Sequence, residues 1–204
     1  MGDLNLREFK EQLAGDSGGR TLAIFGGWGR WLEYAEVMPL SWEVWGLNDM
    51  YIKRYDAWFE MHSMRNIRNR RGNLEHYQWL QECEKPIWML KKHKSIPNSI
   101  EYPIEEMLDK YGPIFTNSFD YMLAMAIEQE FKKIWIFGVA FATIREYMRE
   151  RQSYCYMLGV CKGLGIKFYP YYDIMRIQHI YQYPKIDVEK YWFGECHEKE
   201  LWEE

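Results

Sequence analysis

The sequence lacks the features that define several classes of protein. Its 204 residues contain no apolar run close to the roughly 20 residues that cross a bilayer, and residues 1–6 lack a basic segment followed by an apolar one. The four cysteines include no Cys-x-x-Cys pair, which argues against a disulfide framework or a zinc site. We therefore expect a cytoplasmic protein with no metal and no membrane partner.

An excess of positive charge is also missing. The net charge is −4, whereas a general nucleic-acid binder gains most of its affinity by neutralising phosphates with Lys and Arg. We therefore expect no general nucleic-acid binding. Aromatic residues, by contrast, are abundant at 18%, with 10 Trp and 16 Tyr. So many amphipathic rings suit a ligand pocket or an oligomer interface as well as a core.

Short apolar segments alternate with helical patterns through much of the chain. Strands are predicted at residues 21–26, 42–47, 56–61, 86–90, 133–138 and 166–169, with a short one that begins at Ile114. Near-continuous apolar strands separated by helices are typical of a parallel sheet covered on both faces. We predict the α/β class: a Rossmann-like three-layer domain with a mainly parallel sheet of about six strands.

The domain organisation follows from where this alternation holds. Residues 20–170 are predicted to form one domain, within which the less regular residues 95–112 are interpreted as a flap or insertion. Residues 1–19 are predicted to form an N-terminal helix and linker. Residues 171–204 are aromatic and then acidic, which indicates a tail or an interface arm. This arm favours a homodimer.

A polar turn before a buried helix is the first candidate for ligand binding. Thr116, Asn117 and Ser118 precede a helical apolar pattern, and such residues accept hydrogen bonds from the first helix amides. A helix N-terminus carries unpaired N–H donors and a partial positive charge, so it can bind a phosphate or carboxylate. The alternative is a helix cap without a ligand.

A glycine turn follows the first strand. Gly26, Gly27, Trp28 and Gly29 lead into Arg30 and a helical pattern, the order found in a first nucleotide-binding unit. Ordinary turn chemistry explains the same residues equally well, because the pattern matches neither the dinucleotide fingerprint nor a P-loop.

The ends of the other predicted strands carry polar and basic residues. Because ligands of open parallel sheets lie beyond the carboxyl ends of the strands, these residues form one predicted site. His62 is a candidate general base there or a donor of a hydrogen bond to a phosphate, or else a structural histidine. The polar candidates are Asn48, Asp49, His62 and Ser63. The basic residues either bind an anion together or form a solvated surface, and they are Arg65, Arg68, Lys91, Lys92 and Lys94.

Residues 22–29, 44–48, 57–62 and 115–139 together resemble the compact bacterial sialyltransferases and related Rossmann-like proteins that bind nucleotide-linked substrates. They are also similar to a set of phage-encoded proteins, in which Tyr147 and Arg151 complete the pattern. The resemblance covers about residues 20–170. It implies that the glycine turn, Asn48 and residues 116–118 contact a nucleotide, and that a phage-encoded chain acts in the host cytoplasm.

The sequence departs from this family at one position that matters for chemistry. The enzymes use a histidine after the strand equivalent to residues 134–138, but residues 139–156 contain none. Tyr147 and Arg151 lie there instead, and they bind anions and rings more readily than they abstract protons.

Three hypotheses follow from this departure. The first is capture of a nucleotide-derived ligand without turnover and without a further cofactor, for example to sequester a host immune signal. The second is a small glycosyltransferase or other nucleotide-processing enzyme with His62 or Asp49 as base. The third is an interaction protein with a vestigial pocket.

Overall fold

The computed structural model describes residues 19–27, 31–69, 73–139 and 145–170. In this part of the chain, seven strands form one sheet in the order β5-β4-β3-β2-β1-β6-β7, and every neighbouring pair is parallel. The strands are β1 (Thr21–Phe25), β2 (Glu43–Leu47), β3 (Ala57–Glu60), β4 (Ile87–Met89), β5 (Ser99–Glu101), β6 (Lys133–Phe137) and β7 (Lys167–Pro170).

Helices cover both faces of the sheet. A 3₁₀ helix (Trp31–Val37) follows β1, and the α-helices are α1 (Met64–Asn69), α2 (Asn73–Glu82), α3 (Ile104–Tyr111), α4 (Ser118–Glu128) and α5 (Arg145–Gly163). Alternate residues of each strand point to opposite faces, so β1 contributes Leu22 and Ile24 to one core cluster and Ala23 and Phe25 to the other. The first cluster packs on α3, α4 and α5, and the second on the 3₁₀ helix, α1 and α2. The predicted α/β class and Rossmann-like three-layer arrangement are therefore confirmed.

The order of the strands reverses beside β1. Successive strands from β1 to β5 are added on one side, whereas β6 pairs with the other side of β1, with Phe25 opposite Phe137. Such a switch point opens a crevice between the loops that leave the two strands, and ligands of open parallel sheets bind there. The fold thus places the ends of β1 and β6 side by side at the carboxyl edge.

The structure corrects the prediction of a strand at Ile114. Ile114 and Phe115 pack against the core as a loop, and the missing strand is β5, which lies in residues 95–112, interpreted from sequence as a flap or insertion. β5 has three residues, of which Ile100 and Glu101 are exposed. It therefore lacks the apolar run by which the other strands were predicted, and the sheet has seven strands, consistent with the predicted number of about six.

Two predicted segments lie outside the part of the chain that the structure describes: most of the N-terminal helix and linker (residues 1–19) and the C-terminal arm (residues 171–204). Among the helices of the described part, none is long and apolar enough to cross a membrane.

Candidate functional site at the carboxyl edge of the sheet

The backbones that leave β1 and β6 touch at the switch point. The Gly26 N–H donates to the Phe137 carbonyl at 2.7 Å. A Cβ atom on Gly26 would lie 2.5 Å from the Gly138 carbonyl oxygen, which is closer than real Cβ contacts. Glycine is therefore required for this approach. Gly27 is exposed next to the side chain of Met50, while Trp28, Gly29 and Arg30 lie outside the described residues.

Asn48, at the end of β2, has a left-handed backbone and a buried amide oxygen. Its φ angle is 51°, a region in which Asn is one of the tolerated residues. Its N–H donates to the Phe59 carbonyl at 3.0 Å, and its carbonyl accepts from Trp58 Nε1 at 3.0 Å. The Oδ1 atom is buried and has no hydrogen-bond partner in the described part of the chain. Asp49, the next residue, is exposed.

Glu60, the last residue of β3, is a buried carboxylate between two histidines. It is 1% exposed. Its Oε1 lies 2.7 Å from His62 Nδ1 and accepts the His62 N–H at 3.0 Å, and its Oε2 lies 2.6 Å from His76 Nε2. Burial by itself raises the pKa of Glu60, but the hydrogen bonds from His62 and His76 outweigh it and lower the pKa to about 2. Glu60 is therefore ionised.

The network continues beyond Glu60 into an aromatic cluster. His76 on α2 is buried, and its Nδ1 lies 2.9 Å from the hydroxyl of Tyr51. The His76 ring also stacks on Trp79, with 11° between the ring planes. These contacts fix the position of His76 and, through it, one oxygen of Glu60. His62, by contrast, has a side chain that is 41% exposed.

The predicted helix start at residues 116–118 is confirmed, and Asn117 is the N-cap of α4. Asn117 Oδ1 accepts from the N–H groups of Phe119 and Asp120, and Asp120 Oδ2 accepts from those of Thr116 and Asn117. This reciprocal arrangement is a capping box. It gives these four donors internal partners, so anion binding at this turn stays a prediction.

Asp120 and Ser153 tie this turn to α5. Thr116 Oγ1 and Asn117 Nδ2 both hydrogen-bond to Ser153 Oγ. Burial raises the pKa of Asp120 to about 6, although hydrogen bonds from Ser153, Thr116 and Asn117 act in the opposite direction. The Oδ1 atom of Asp120 is buried without a hydrogen-bond partner among the described residues. The turn is thus a rigid contact between α4 and α5.

The basic candidates divide into two groups. Arg68 donates to the Tyr77 hydroxyl at 2.9 Å and lies over its ring, and Lys91 pairs with Glu101 at 2.6 Å. Both have partners within the protein. The remaining three are exposed after β3 and β4, where a ligand can reach them: Arg65, Lys92 and Lys94.

Three further candidates have different surroundings. Ser63 Oγ accepts from the Asn66 N–H at 3.3 Å, which places Ser63 at the start of α1. Arg151 is exposed on α5. The side chain of Tyr147 lies outside the described residues. In residues 19–27, 31–69, 73–139 and 145–170, no three His, Cys, Asp or Glu side chains form a group that could hold a metal ion.

Sequence reasoning missed Glu60, His76 and Tyr51 as parts of the site. The signal available for Glu60 was an acidic residue inside an otherwise apolar strand, because such a residue is buried only with partners. No comparable signal existed for His76, whose contact with Glu60 depends on how α2 packs on the sheet.

The fold and this edge define an α/β protein with a Rossmann-like three-layer domain. The chain is similar to structures of the sialyltransferase CstII from Campylobacter jejuni, one with the substrate analogue cytidine-5′-monophosphate and one with CMP-3FNeuAc. The first is 19% identical to this chain and the second 18%. Each has a TM-score of 0.48, and each comparison covers 74% of this chain and 79% of the sialyltransferase chain. A variant of the sialyltransferase CST-II in complex with CMP is 16% identical, with a TM-score of 0.49. The comparison covers 74% of this chain and 81% of the CST-II chain.

No protein-family model and no curated protein matches the chain. The three similar structures are sialyltransferases by name, as is the family that the sequence resembles. The resemblance to phage-encoded proteins stays a prediction.

Proposed function

We propose that the protein binds a nucleotide-derived anionic small molecule at the carboxyl edge of its sheet. The observation that carries this proposal is the buried Oδ1 of Asn48, which has no hydrogen-bond partner in the described part of the chain. An unsatisfied buried polar atom costs about 1 to 3 kcal/mol. An N–H or O–H donor on a nucleobase or ribose would remove this cost by pairing with it.

The surroundings of Asn48 suit the anionic part of such a ligand. The switch point lies next to β2, and glycine at position 26 lets the backbones that leave β1 and β6 approach closely there. Arg65, Lys92 and Lys94 are exposed after the neighbouring strands β3 and β4. Positive side chains around a crevice attract anions and strengthen their binding.

Capture without turnover is the first form of this function. Residues 139–156, which follow β6, contain no histidine, and Arg151 is exposed on α5. In a phage-encoded protein, capture would sequester a host immune signal such as a cyclic ADP-ribose or a cyclic nucleotide. The proposed assembly is a homodimer through the aromatic C-terminal arm.

Processing of the ligand is the second form, and one observation favours it. His62 Nδ1 lies 2.7 Å from the ionised carboxylate of Glu60, the arrangement in which a carboxylate orients a histidine for proton transfer. His62 would then act as general base on a nucleotide-linked substrate, with Asp49 as the other candidate.

Identification of the molecule that copurifies with the protein tests these forms. The purified chain is denatured, the released small molecules are identified by mass spectrometry, and the same compound is returned to ligand-free protein and recovered. An unchanged nucleotide supports capture, whereas a changed one supports processing, and His62→Ala should then abolish the change. The proposal is wrong if no nucleotide is released and if no member of a panel of mononucleotides, cyclic nucleotides and nucleotide sugars binds. That result would favour the third hypothesis, an interaction protein with a vestigial pocket.

A further inference from the structure

Glu60 can act only as a hydrogen-bond acceptor at this edge. Its carboxylate is 1% exposed and ionised, since the hydrogen bonds from the two histidines outweigh burial and lower its pKa. An ionised carboxylate carries no proton to donate. Each ring nitrogen in contact with it, His62 Nδ1 at 2.7 Å and His76 Nε2 at 2.6 Å, must therefore carry a proton.

Tyr51 completes the hydrogen bonding of His76. A neutral ring with its proton on Nε2 has a lone pair on Nδ1, and the Tyr51 hydroxyl lies 2.9 Å from this atom. Burial, followed by the negative charges of Asp49, Glu75 and Glu60, raises the pKa of Tyr51, so its hydroxyl keeps its proton and can donate to the Nδ1 lone pair of neutral His76. Both nitrogens of His76 are used, and His76 serves to hold Glu60.

His62 occupies the other side of the same carboxylate. With its proton on Nδ1, its ring gains or loses a second proton at Nε2. The backbone N–H of His62 also donates to Glu60 Oε1 at 3.0 Å, so the ring is tied to the carboxylate at two points. The side chain is 41% exposed, and it lies at the end of β3, two strands from the switch point.

We propose that Glu60 is the positioning residue of this edge: it fixes His62 with a proton on Nδ1 and makes Nε2 the atom that exchanges a proton with the ligand. The part that concerns the ligand rests on the proposed function, but the tautomer does not. Neutral Nε2 accepts a proton from a ligand hydroxyl, and protonated Nε2 donates a hydrogen bond to a phosphate oxygen. The titratable groups that contact the Glu60 carboxylate are His62 after β3 and His76 from α2, and Tyr51 lies beyond His76 with Asp49 and Glu75 acting on it.

NMR spectroscopy of the full chain labelled with ¹⁵N-histidine tests this inference without a ligand. Long-range ¹⁵N–¹H correlations distinguish the two neutral tautomers, and His62→Gln assigns the His62 signals. The expected result is a proton on Nδ1 for His62 and on Nε2 for His76. A proton on Nε2 of neutral His62 would overturn the inference, and this outcome needs no variant of Glu60.

Glu60→Gln gives the second readout. An opposite charge within hydrogen-bond distance favours the protonated imidazole, so its loss should lower the titration midpoint of His62. Glu43→Gln is the matched control, because Glu43 begins β2 at the opposite edge of the sheet, and it should leave this midpoint unchanged. An equal midpoint in the wild type and Glu60→Gln would show a merely structural role for Glu60. If the NMR results hold but no nucleotide binds, the proposed function fails and the tautomer assignment stands.

Discussion

Gly26 and Gly138 meet across the switch point of the sheet, so that a Cβ atom on Gly26 would lie 2.5 Å from the carbonyl oxygen of Gly138. The contact is between two backbones, and the Gly26 N–H bonds to the neighbouring Phe137 carbonyl at 2.7 Å. Gly138 has a φ angle of 66°, a conformation that favours glycine. These two residues therefore set the separation of β1 and β6 where the ligand is proposed to bind.

Gly26→Ala should destabilise the fold by forcing these strand ends apart. A methyl group that meets backbone atoms cannot be accommodated by a rotamer change, and overpacking of this kind costs about 1 to 3 kcal/mol. Urea unfolding of the wild type and the variant measures this difference. Gly159→Ala is the control, because nothing lies within 4 Å of its added methyl group in α5; it should stabilise the protein by about 0.5 to 1 kcal/mol. Equal stability of the wild type and Gly26→Ala would show that the contact does not constrain the strands.

Glu60 should make the fold sensitive to acid. Its pKa in the folded protein is about 2 against an ordinary value of 4.5, so the stability that it contributes is present above pH 4.5 and is lost as the pH falls through 2. In Glu60→Gln, the free energy of unfolding should be lower at pH 7 and should fall less between pH 5 and 2. The difference is on the order of 2 kcal/mol.

Urea unfolding at a series of pH values measures the acid sensitivity of Glu60→Gln. Glu43→Gln is again the control, because it removes a carboxylate from the opposite edge of the sheet and should leave the slope in this range as in the wild type. A slope in Glu60→Gln equal to that of the wild type would mean that the histidines do not stabilise the Glu60 carboxylate.

Asp120 should give the opposite pH dependence. Burial raises its pKa to about 6 from an ordinary value of 3.8, so its protonated form stabilises the fold below pH 3.8, and this contribution is lost as the pH rises through 6. Asp120→Asn keeps an oxygen that can accept the N–H groups of Thr116 and Asn117. It should therefore remove the loss of stability between pH 4 and 6, which thermal unfolding at each pH measures. A variant with the wild-type pH profile would contradict this assignment.

Much of the fold could be predicted because the buried strands are nearly continuous apolar runs. Parallel pairing then placed Asn48 and His62 at one edge without any knowledge of side-chain contacts. Strand β5 escaped prediction because Ile100 and Glu101 face solvent and the strand depends on its pairing with β4.

The details of the site depend on tertiary packing. Glu60 and His76 are 16 residues apart in sequence, and their contact exists because α2 packs on the face of the sheet beside β3. The left-handed backbone of Asn48 is another such detail: the hydrogen bonds to Phe59 and Trp58 hold it, and neither residue is a sequence neighbour. Sequence reasoning therefore located the edge but not the carboxylate that organises it.

Calorimetric titration of nucleotides into Asn48→Gly tests the central claim most directly. Glycine adopts the φ angle of 51° without strain, so the variant removes the amide and keeps the backbone. The panel of mononucleotides, cyclic nucleotides and nucleotide sugars is titrated into the wild type and the variant in parallel. Glu130→Gly is the control, because Glu130 also has a positive φ angle, of 60°, but it precedes β6 at the amino edge.

We predict saturable binding of at least one nucleotide to the wild type and to Glu130→Gly. Loss of a ligand hydrogen bond costs about 1.4 kcal/mol, so Asn48→Gly should bind that nucleotide about tenfold more weakly. Binding of equal strength to all three proteins, or of no nucleotide to the wild type, would contradict the proposal that this edge of the sheet is a nucleotide site.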